Sequence, residues 1–280
     1  PQFPQISTVG RHKKARLEVI MLALGYISGI FMGVVLGLLG GGGSILTVPI
    51  ITYLFSIPAT VATSYSLFIV GVSAAIGASS YVKKGLIEYK VGGIFAVSAF
   101  LSIYLVRQIL LPSIPDTFEI FNIFEFSKDN LVMLVFSIVM LGASFAMIRG
   151  KKDSANAKPK KLILFILQGL FVGAVTGFVG AGGGFLIIPG LVFLAGLEMK
   201  KAVGTSLFVI SINSLFGFSS DLISGTAIDW VFLLKFTGVG ILGVFIGTYL
   251  SNKISNKKLK PLFGWFVLVA GISIIIKEIL

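Results

Sequence analysis

Two glycine-rich stretches contain the residues that are best suited to binding chemistry in this chain. The first consists of Gly40, Gly41, Gly42, Gly43 and Ser44, and the second of Gly180, Gly182, Gly183 and Gly184. Because glycine accepts positive φ and has no side chain, each stretch can turn sharply and present bare backbone N–H groups. The helices that begin near Ser44 and Phe185 add the positive ends of their dipoles. This pattern predicts an anion-sized site that needs no buried cation.

Hydroxyl and amide side chains follow both stretches. They are Thr63, Ser64, Tyr65 and Ser66 in the first case, and Thr205, Ser206, Ser211 and Asn213 in the second. Each set begins an apolar segment after a short helix, where hydroxyls and free N–H groups can converge on one ligand. Gln168 is a further amide inside an apolar segment. For any single Ser or Thr, hydrogen bonding between helices is an equally good explanation.

Other chemistries lack the residues that they need. The only His is His12, in the basic N-terminal tail, and the chain has no Cys. We therefore predict no metal site, no cofactor and no enzymatic activity. We expect no Asp or Glu deep in a membrane span, and we interpret Arg107 as an anchor that closes one. Neither glycine stretch is followed by Lys-Ser or Lys-Thr, so nucleotide-binding loops are weak interpretations.

The two glycine-rich stretches belong to a longer internal repeat. Residues Gly29, Gly33, Gly37, Gly40, Gly42, Gly43 and Pro49 recur 140 positions later as Gly169, Gly173, Gly177, Gly180, Gly182, Gly183 and Pro189. The same offset relates Ser66 to Ser206, and one inserted residue later Glu88 corresponds to Asp229. The register predicts a fold that is built from two copies of one unit.

The composition predicts a multi-pass protein of the cell membrane. The chain has 280 residues, of which 56% are hydrophobic and 12% charged, and its mean hydropathy is +1.01. No water-soluble domain of this length tolerates such a surface. The net charge of +12 is carried by tails and loops, where it matches lipid headgroups, so we expect membrane lipids as partners and no nucleic acid.

We predict an all-α helical bundle with about eight full transmembrane helices and two short broken or re-entrant helices. The long apolar segments are Leu17–Leu39, Ala62–Val82, Val91–Arg107, Leu131–Ile148, Leu162–Val179, Val203–Ile223, Val231–Leu250 and Leu262–Ile279. The short ones, Ser44–Phe55 and Phe185–Leu197, have about half the length that a crossing needs. The predicted parts are a basic tail (1–16), a first repeat (17–148), a basic linker (149–161) and a second repeat (162–280).

The direction of the repeats depends on whether the short segments cross. The basic tail and the basic linker are both predicted to be cytoplasmic, and the acidic loop 112–130 is predicted to be external. That assignment requires an even number of spans in each half, and it places the lysines between 253 and 260 outside. If the short segments cross, the repeats are inverted and the linker becomes external. We favour the first alternative.

The doubled pattern Gly-x-x-x-Gly-x-x-Gly-x-Gly-Gly-(Gly/Ser)-x-x-x-x-Pro, together with Gly204-Thr205-Ser206-Leu207 and the stretch 225–230, resembles the TauE/SafE family of membrane permeases, the sulfite and organosulfonate exporters. The resemblance covers the chain from Leu17 to Leu280. It implies a two-repeat helical transporter for small sulfur-containing anions, with substrate contacts at the two glycine stretches, Tyr65-Ser66 and Thr205-Ser206. The first copy departs from the second, because Ser64-Tyr65 stands where the second has Gly204-Thr205.

The residues and the resemblance agree on a permease with a small oxyanion site near the midplane, and we hypothesise that it works by alternating access. The resemblance implies export of sulfite, an organosulfonate or a related anion. Import stays open, because the sequence does not record the direction of transport. A passive anion channel would use the same glycines and hydroxyls. A scaffold or sensor would explain the glycines as helix packing alone, and an intramembrane enzyme lacks its catalytic residues. The faces of small residues along the helices suit a homodimer.

Overall fold

The fold is a bundle of apolar helices. The computed structural model describes residues 8–120, 124–149, 162–180, 182–193, 195–251, 253 and 256–279. Its helices are α1 (Thr8–Leu39), α2 (Ser44–Phe55), α3 (Ala59–Val82), α4 (Tyr89–Leu105), α5 (Leu111–Ser113), α6 (Lys128–Ile148), α7 (Leu162–Val179), α8 (Gly184–Phe193), α9 (Met199–Ile223), α10 (Trp230–Ser251) and α11 (Asn256–Ile279).

Five stretches of the described residues are long and apolar enough to cross a membrane. They are Ile20–Leu39, Ala59–Val82, Tyr89–Ser113, Lys200–Ile223 and Trp230–Ser251. The most apolar window is 72% buried in both α3 and α9, against 39% in α10, so α3 and α9 form the centre of the bundle. We call them the central pair. The prediction of a multi-pass helical membrane protein is confirmed.

The two central helices run antiparallel. A Cβ on Gly71 of α3 would lie 2.9 Å from Leu215 of α9, and a Cβ on Gly77 would lie 3.3 Å from Leu207. The bundle therefore has two sides with opposite helix ends. We call the side with the loop 56–58 side A and the side with the loop 83–88 side B.

The outer helices pack in parallel across the two halves of the chain. Glycines allow their backbones to touch, since a Cβ on Gly33 of α1 would lie 2.1 Å from the Gly240 oxygen of α10. In the same way, a Cβ on Gly173 of α7 would lie 2.2 Å from the Ala99 oxygen of α4. The four-residue glycine spacing in the sequence thus serves helix packing, as expected for small residues in membrane helices.

These directions correct the predicted topology. The start of α10 lies at side A, where the Asp229 nitrogen donates to Tyr65 near the start of α3, so the parallel helix α1 also begins at side A. Helix α7 runs parallel to α4 and begins at side B. The tail and the linker therefore join helices on opposite sides, and the prediction that both are cytoplasmic is wrong. The helix directions agree with the other alternative, in which each short helix is counted as a pass.

Each short helix turns back along the helix that precedes it. A Cβ on Gly43, at the start of α2, would lie 2.2 Å from the Met32 oxygen of α1. At the other end of α2, the Phe55 ring lies against Gly25. Helices α1 and α2 thus form a hairpin, with the glycine stretch at its tip. Pro49 lies inside α2, which ends at Phe55 before the left-handed Ser56 (φ 55°).

Two further features differ from the sequence analysis. The segment interpreted as an acidic loop contains an antiparallel pair of strands, β1 (Thr117–Ile120) and β2 (Phe124–Ser127), with Thr117 opposite Ser127. A purely all-α description omits this ribbon. The fourth helix also does not end at Arg107, because it continues through a π-helical turn, Val106–Leu110, into α5. Local hydropathy does not reveal either feature.

Candidate functional site

The two glycine stretches meet in the interior. We call Gly40–Gly43 the first break, and Gly180 together with Gly182–Gly184 the second break; position 181 lies outside the described residues. A Cβ on Gly41 would lie 2.5 Å from the Gly184 Cα, and a Cβ on Gly184 would lie 2.4 Å from the Gly41 Cα. Backbone here touches backbone, so neither position has space for a side chain.

Four of the glycines at the breaks have the left-handed conformation that the sequence analysis expects. Gly40 has φ of 67°, and Gly180, Gly182 and Gly183 have φ of 72°, 64° and 63°. These left-handed values favour glycine. Gly43 instead has an ordinary helical φ of −71°, and no side chain caps the helix that follows it. Gly43 requires glycine for space rather than for φ, because a Cβ would meet α1.

Each break is held by the central helix of the other half. A Cβ on Gly40 would lie 2.6 Å from Val203 of α9, and one on Gly180 would lie 2.5 Å from Thr63 of α3. The Ser206 hydroxyl donates to the Gly40 oxygen at 2.6 Å and to the Val203 oxygen at 2.8 Å. Ser206, predicted as a substrate residue, thus anchors the first break to α9.

Several buried hydroxyl and amide groups on α2, α3 and α9, the helices that follow or hold the breaks, have no protein partner in the described part of the chain. The atoms are the hydroxyl oxygens of Thr47, Ser66, Ser73 and Ser214, and the Asn213 side-chain oxygen. Their side chains are at most 2% exposed. Buried polar groups are normally paired, because an unpaired one loses its hydrogen bonds to water. A polar ligand or water is therefore expected among them.

Two of these groups occupy equivalent places in the two halves. Ser73 of α3 corresponds to Asn213 of α9 at the offset of 140, and both lie seven residues after the matching pair Ser66 and Ser206. Seven residues are close to two helical turns, so each pair shares one side of its helix. The sequence analysis proposed Asn213 and missed Ser73, although the repeat register identifies it. Ser214 lies against the second break, 3.2 Å from the position of a Gly182 Cβ.

Two predicted substrate residues have other hydrogen bonds. The Tyr65 hydroxyl accepts from the Asp229 nitrogen at 2.6 Å, and the Thr205 hydroxyl accepts from the Glu88 nitrogen at 2.9 Å. Each bond joins a central helix to the residue before the outer helix of the other half. Both hydroxyls are engaged in linking the halves near sides A and B.

The remaining polar candidates are bonded within their own turns or hairpins. The hydroxyls of Ser44, Thr63 and Ser211 donate to the carbonyl oxygens of Gly41, Thr60 and Phe208, at 2.7, 2.7 and 2.8 Å. Gln168 of α7 lies against Gly190 of α8, and its amide nitrogen donates to the Leu186 oxygen at 3.4 Å. The Gln168 bond joins α7 to α8 and the Ser44 bond lies at the tip of the α1–α2 hairpin, whereas the Thr63 and Ser211 bonds lie within α3 and α9.

A buried ion pair lies beside the second break, which the sequence analysis did not expect. Arg107 forms an ion pair with Asp221, and the exposed fractions of the two side chains are 2% and 10%. The Ser64 hydroxyl donates to Asp221 and accepts from Arg107 at 3.3 Å. The interpretation of Arg107 as an interfacial anchor is therefore wrong. Asp221 is buried although it lies two residues before the end of α9, so it is not deep in the span.

A separate open cleft of about 380 Å³ lies at side A between α2, α3, α6 and α11. Its wall includes Asp129 and Glu278, and the Tyr53 hydroxyl donates to Glu278 at 2.8 Å while Lys277 covers the Tyr53 ring. The C-terminal end of α2 points into the cleft with its negative dipole. Two carboxylates against one lysine make this cleft unfavourable for an anion. No group of three or more candidate metal ligands occurs among the described residues.

Known relatives match the chain over nearly its whole length. A probable membrane transporter protein of Xylella fastidiosa is 28% identical over 269 residues, which cover 92% of this chain and 96% of that protein. One of Methanocaldococcus jannaschii is 26% identical over 273 residues, covering 92% and 97%. Sulfite exporter TauE/SafE family protein 5 of Arabidopsis thaliana is 30% identical over 120 residues, covering 41% and 27%.

No solved structure matches the chain. The family model described as sulfite exporter TauE/SafE matches residues 25–274. That range includes both breaks, the central pair and the outer helices that pack on it. The chain therefore belongs to the sulfite exporter TauE/SafE family.

Proposed function

We propose that this protein is a secondary transporter that exports small sulfur-containing oxyanions, such as sulfite or organosulfonates, through the space where the two breaks meet. One observation carries the proposal: the breaks touch at Gly41 and Gly184, beside buried hydroxyl and amide groups that have no protein partner. Non-helical backbone survives at membrane depth only where protein or water satisfies it. Two helix N-termini, of α2 and α8, add a positive field at this place.

The two halves are proposed to be inverted copies that rock about this site. The central pair is antiparallel, and the outer helices pack across the halves in equivalent pairs, α1 on α10 and α7 on α4. Both features support a two-fold axis in the membrane plane. Each break packs on the equivalent residue of the other half, Gly40 on Val203 and Gly180 on Thr63. Repeats of this kind carry substrate by opening the same site first to one side and then to the other.

The positions of basic residues favour side B as the cytoplasmic side. Lys83 and Lys84 lie in the loop that defines side B, Lys200 and Lys201 begin α9 there, and α10 ends there before Lys253. The linker joins α6 and α7 at the same side, so this orientation satisfies the positive-inside tendency for it as well. It also resolves the conflict over the lysines between 253 and 260. The basic tail is then external.

Transport by purified protein in proteoliposomes tests the proposal. Radiolabelled sulfite would be measured in uptake and efflux, with sulfate and a small organosulfonate as comparators. We expect saturable movement of sulfite or the organosulfonate, and loss of that movement in Gly184→Ala, whose Cβ would overlap Gly41. The matched control is Gly142→Ala, because a Cβ there meets nothing within 4 Å. Equal rates for both variants, or no movement of any anion under imposed ion gradients, would contradict the proposal.

A further inference from the structure

The guanidinium of Arg107 is buried and only partly used. Its Nη1 atom donates to Asp221 and, at 3.3 Å, to Ser64. Its Nε and Nη2 atoms are buried and have no hydrogen-bond partner in the described part of the chain. Leaving two donors of a charged group unpaired in a dry interior is strongly unfavourable, so a further acceptor is expected.

The unused donors lie on one edge of the guanidinium. The Nε–H and one Nη2–H bond point in parallel, and this edge matches the spacing of two oxygens in a carboxylate, phosphate or sulfur oxyanion. The ion pair with Asp221 uses Nη1, on the other side of the group, so it leaves this edge free. Arg107 can therefore hold its internal carboxylate and an external oxyanion at the same time.

Arg107 lies next to the second break. The preceding residue, Val106, lies 3.1 Å from the position of a Cβ on Gly177, the last glycine of α7 before the break. Ser64, the hydrogen-bond partner of Arg107, follows Thr63, which packs on Gly180. Arg107 also belongs to the π-helical turn Val106–Leu110, and such turns are rare and frequently occur at functional sites. Because its partner Asp221 lies near the end of α9 at side A, this guanidinium lies at the side-A end of the second break.

The equivalent place at the first break has no charge. By the repeat register, Ser64, Arg107 and Asp221 correspond to Gly204, Thr248 and Tyr81. The packing is conserved in form, since a Cβ on Gly204 would lie 2.9 Å from the Tyr81 Cβ. Thus the charged group is not required by the helix packing that the two halves share. This difference argues for a ligand-directed role at one side only.

We propose that the Nε–Nη2 edge of Arg107 is an oxyanion-binding site at the side-A mouth of the second break, and that Asp221 holds the arginine in place when the site is empty. The identity of the anion as a sulfur oxyanion rests on the proposed function. Asp221 repels the bound anion across the guanidinium, which limits its affinity and speeds its release. Binding needs no covalent step and no proton transfer.

The test measures sulfite binding by thermal unfolding of the purified protein in detergent, together with the KM for sulfite in proteoliposomes. The main variant is the double substitution Arg107→Gln with Asp221→Asn, which removes both charges and leaves no ion unpaired. We expect the sulfite-dependent rise in unfolding temperature to disappear and the KM to rise about tenfold or more, as for loss of a charge-assisted bidentate contact. Arg107→Lys keeps the positive charge but removes the parallel Nε–H and Nη2–H donors, and we expect its KM to rise several-fold.

Asp221→Asn gives the opposite expectation. Removing the carboxylate that repels the bound anion strengthens binding at the free edge, so half-maximal stabilisation should require less sulfite than in the unmodified protein. A purely structural ion pair would make this variant less stable without changing its response to sulfite. Lys235→Gln is the matched control, since Lys235 is an exposed cation in the first turns of α10 at side A. It should leave the sulfite response unchanged.

The outcomes separate this inference from the proposed function. If the double variant and Arg107→Lys keep the sulfite midpoint and KM of the unmodified protein, the site is overturned while the permease stands. If the protein moves no anion but shows sulfite-dependent stabilisation that the double variant lacks, the site stands and the permease does not. If water rather than an anion pairs with the free edge, the substitutions at Arg107 and Asp221 would leave the sulfite response of the protein unchanged, which would overturn the site.

Discussion

The two ends of the central pair have the same packing but different chemistry. At side A, Ser64 of α3 meets Asp221 of α9, and Arg107 completes a buried charged group. At side B the equivalent contact joins Gly204 and Tyr81, with no charge. Both halves carry a break, but the buried ion pair lies at side A, whereas the Glu88–Lys201 pair at side B is exposed. A transporter with two chemically different mouths can treat the two directions of transport unequally.

The largest effect is expected from making the two breaks alike at their point of contact. Position 184 corresponds to Ser44, so Gly184→Ser copies the first break into the second. Its Cβ would lie 2.4 Å from the Gly41 Cα and 2.5 Å from Ile210, and we expect sulfite transport to be lost. Gly238→Ser is a matched control on a helix, because a Cβ there meets nothing within 4 Å. Transport by the Gly184 variant at the control rate would show that the breaks need not touch.

A substitution at the charged end, where Arg107 pairs with Asp221, should lower the free energy of unfolding far more than one at the neutral end, where Gly204 meets Tyr81. Arg107→Gln leaves Asp221 buried without a counter-ion, and we expect a loss of about 3–5 kcal/mol in the free energy of unfolding. Tyr81→Phe removes one hydroxyl at the neutral end and should cost about 1 kcal/mol. Denaturant unfolding in detergent measures both. Equal losses at the two ends would contradict the distinction.

The matching serines at the two breaks should separate structure from function. Ser206→Ala removes the bonds to the Gly40 and Val203 oxygens, and we expect a loss of about 1–3 kcal/mol in the free energy of unfolding. Ser66 has no such bonds, so Ser66→Ala should leave stability unchanged while raising the KM for sulfite. Thermal unfolding and transport would be measured on the same preparations. A large loss of stability in Ser66→Ala would show that its hydroxyl is structural.

The smallest effect is expected from replacing Ser73 by the residue at the equivalent position of the other half, Asn213. Ser73→Asn places the residue of the second half in the first half, where Gly240 and Met32 border it. We expect normal expression and a change in the ratio of sulfite to organosulfonate transport, because only the lining of the site is altered. Competition between the two anions in proteoliposomes measures this ratio. An unchanged ratio would place Ser73 outside the site.

The sequence predicted the parts of the site that depend on local pattern. The glycines of both breaks, the short helices α2 and α8, and Ser66 and Asn213 follow from composition, spacing and the repeat register. Pairing between distant helices was not predictable in this way. Arg107 and Asp221 are 114 residues apart, and Arg107 considered alone was interpreted as the anchor at the end of a span.

The same limit applied to residues whose partners lie in the other half of the chain. Nothing next to Tyr65 or Thr205 in the sequence indicates that their hydroxyls accept from the Asp229 and Glu88 nitrogens. The direction of the repeats also depended on contacts between the central helices, because hydropathy does not state whether a short helix returns across the bundle. A repeat register combined with helix directions would have identified these pairs.

The most direct test of the central claim places a single thiol on α3, one turn after Thr63, which packs on Gly180 of the second break. The chain has no Cys, so Ser66→Cys introduces a unique reactive group without any other change. Protein in sealed vesicles would be labelled with a membrane-impermeant maleimide from each side in turn, with and without sulfite. Alternating access predicts labelling from both sides and protection by sulfite. Labelling from one side only, or labelling that sulfite does not alter, would contradict an oxyanion site between the two breaks.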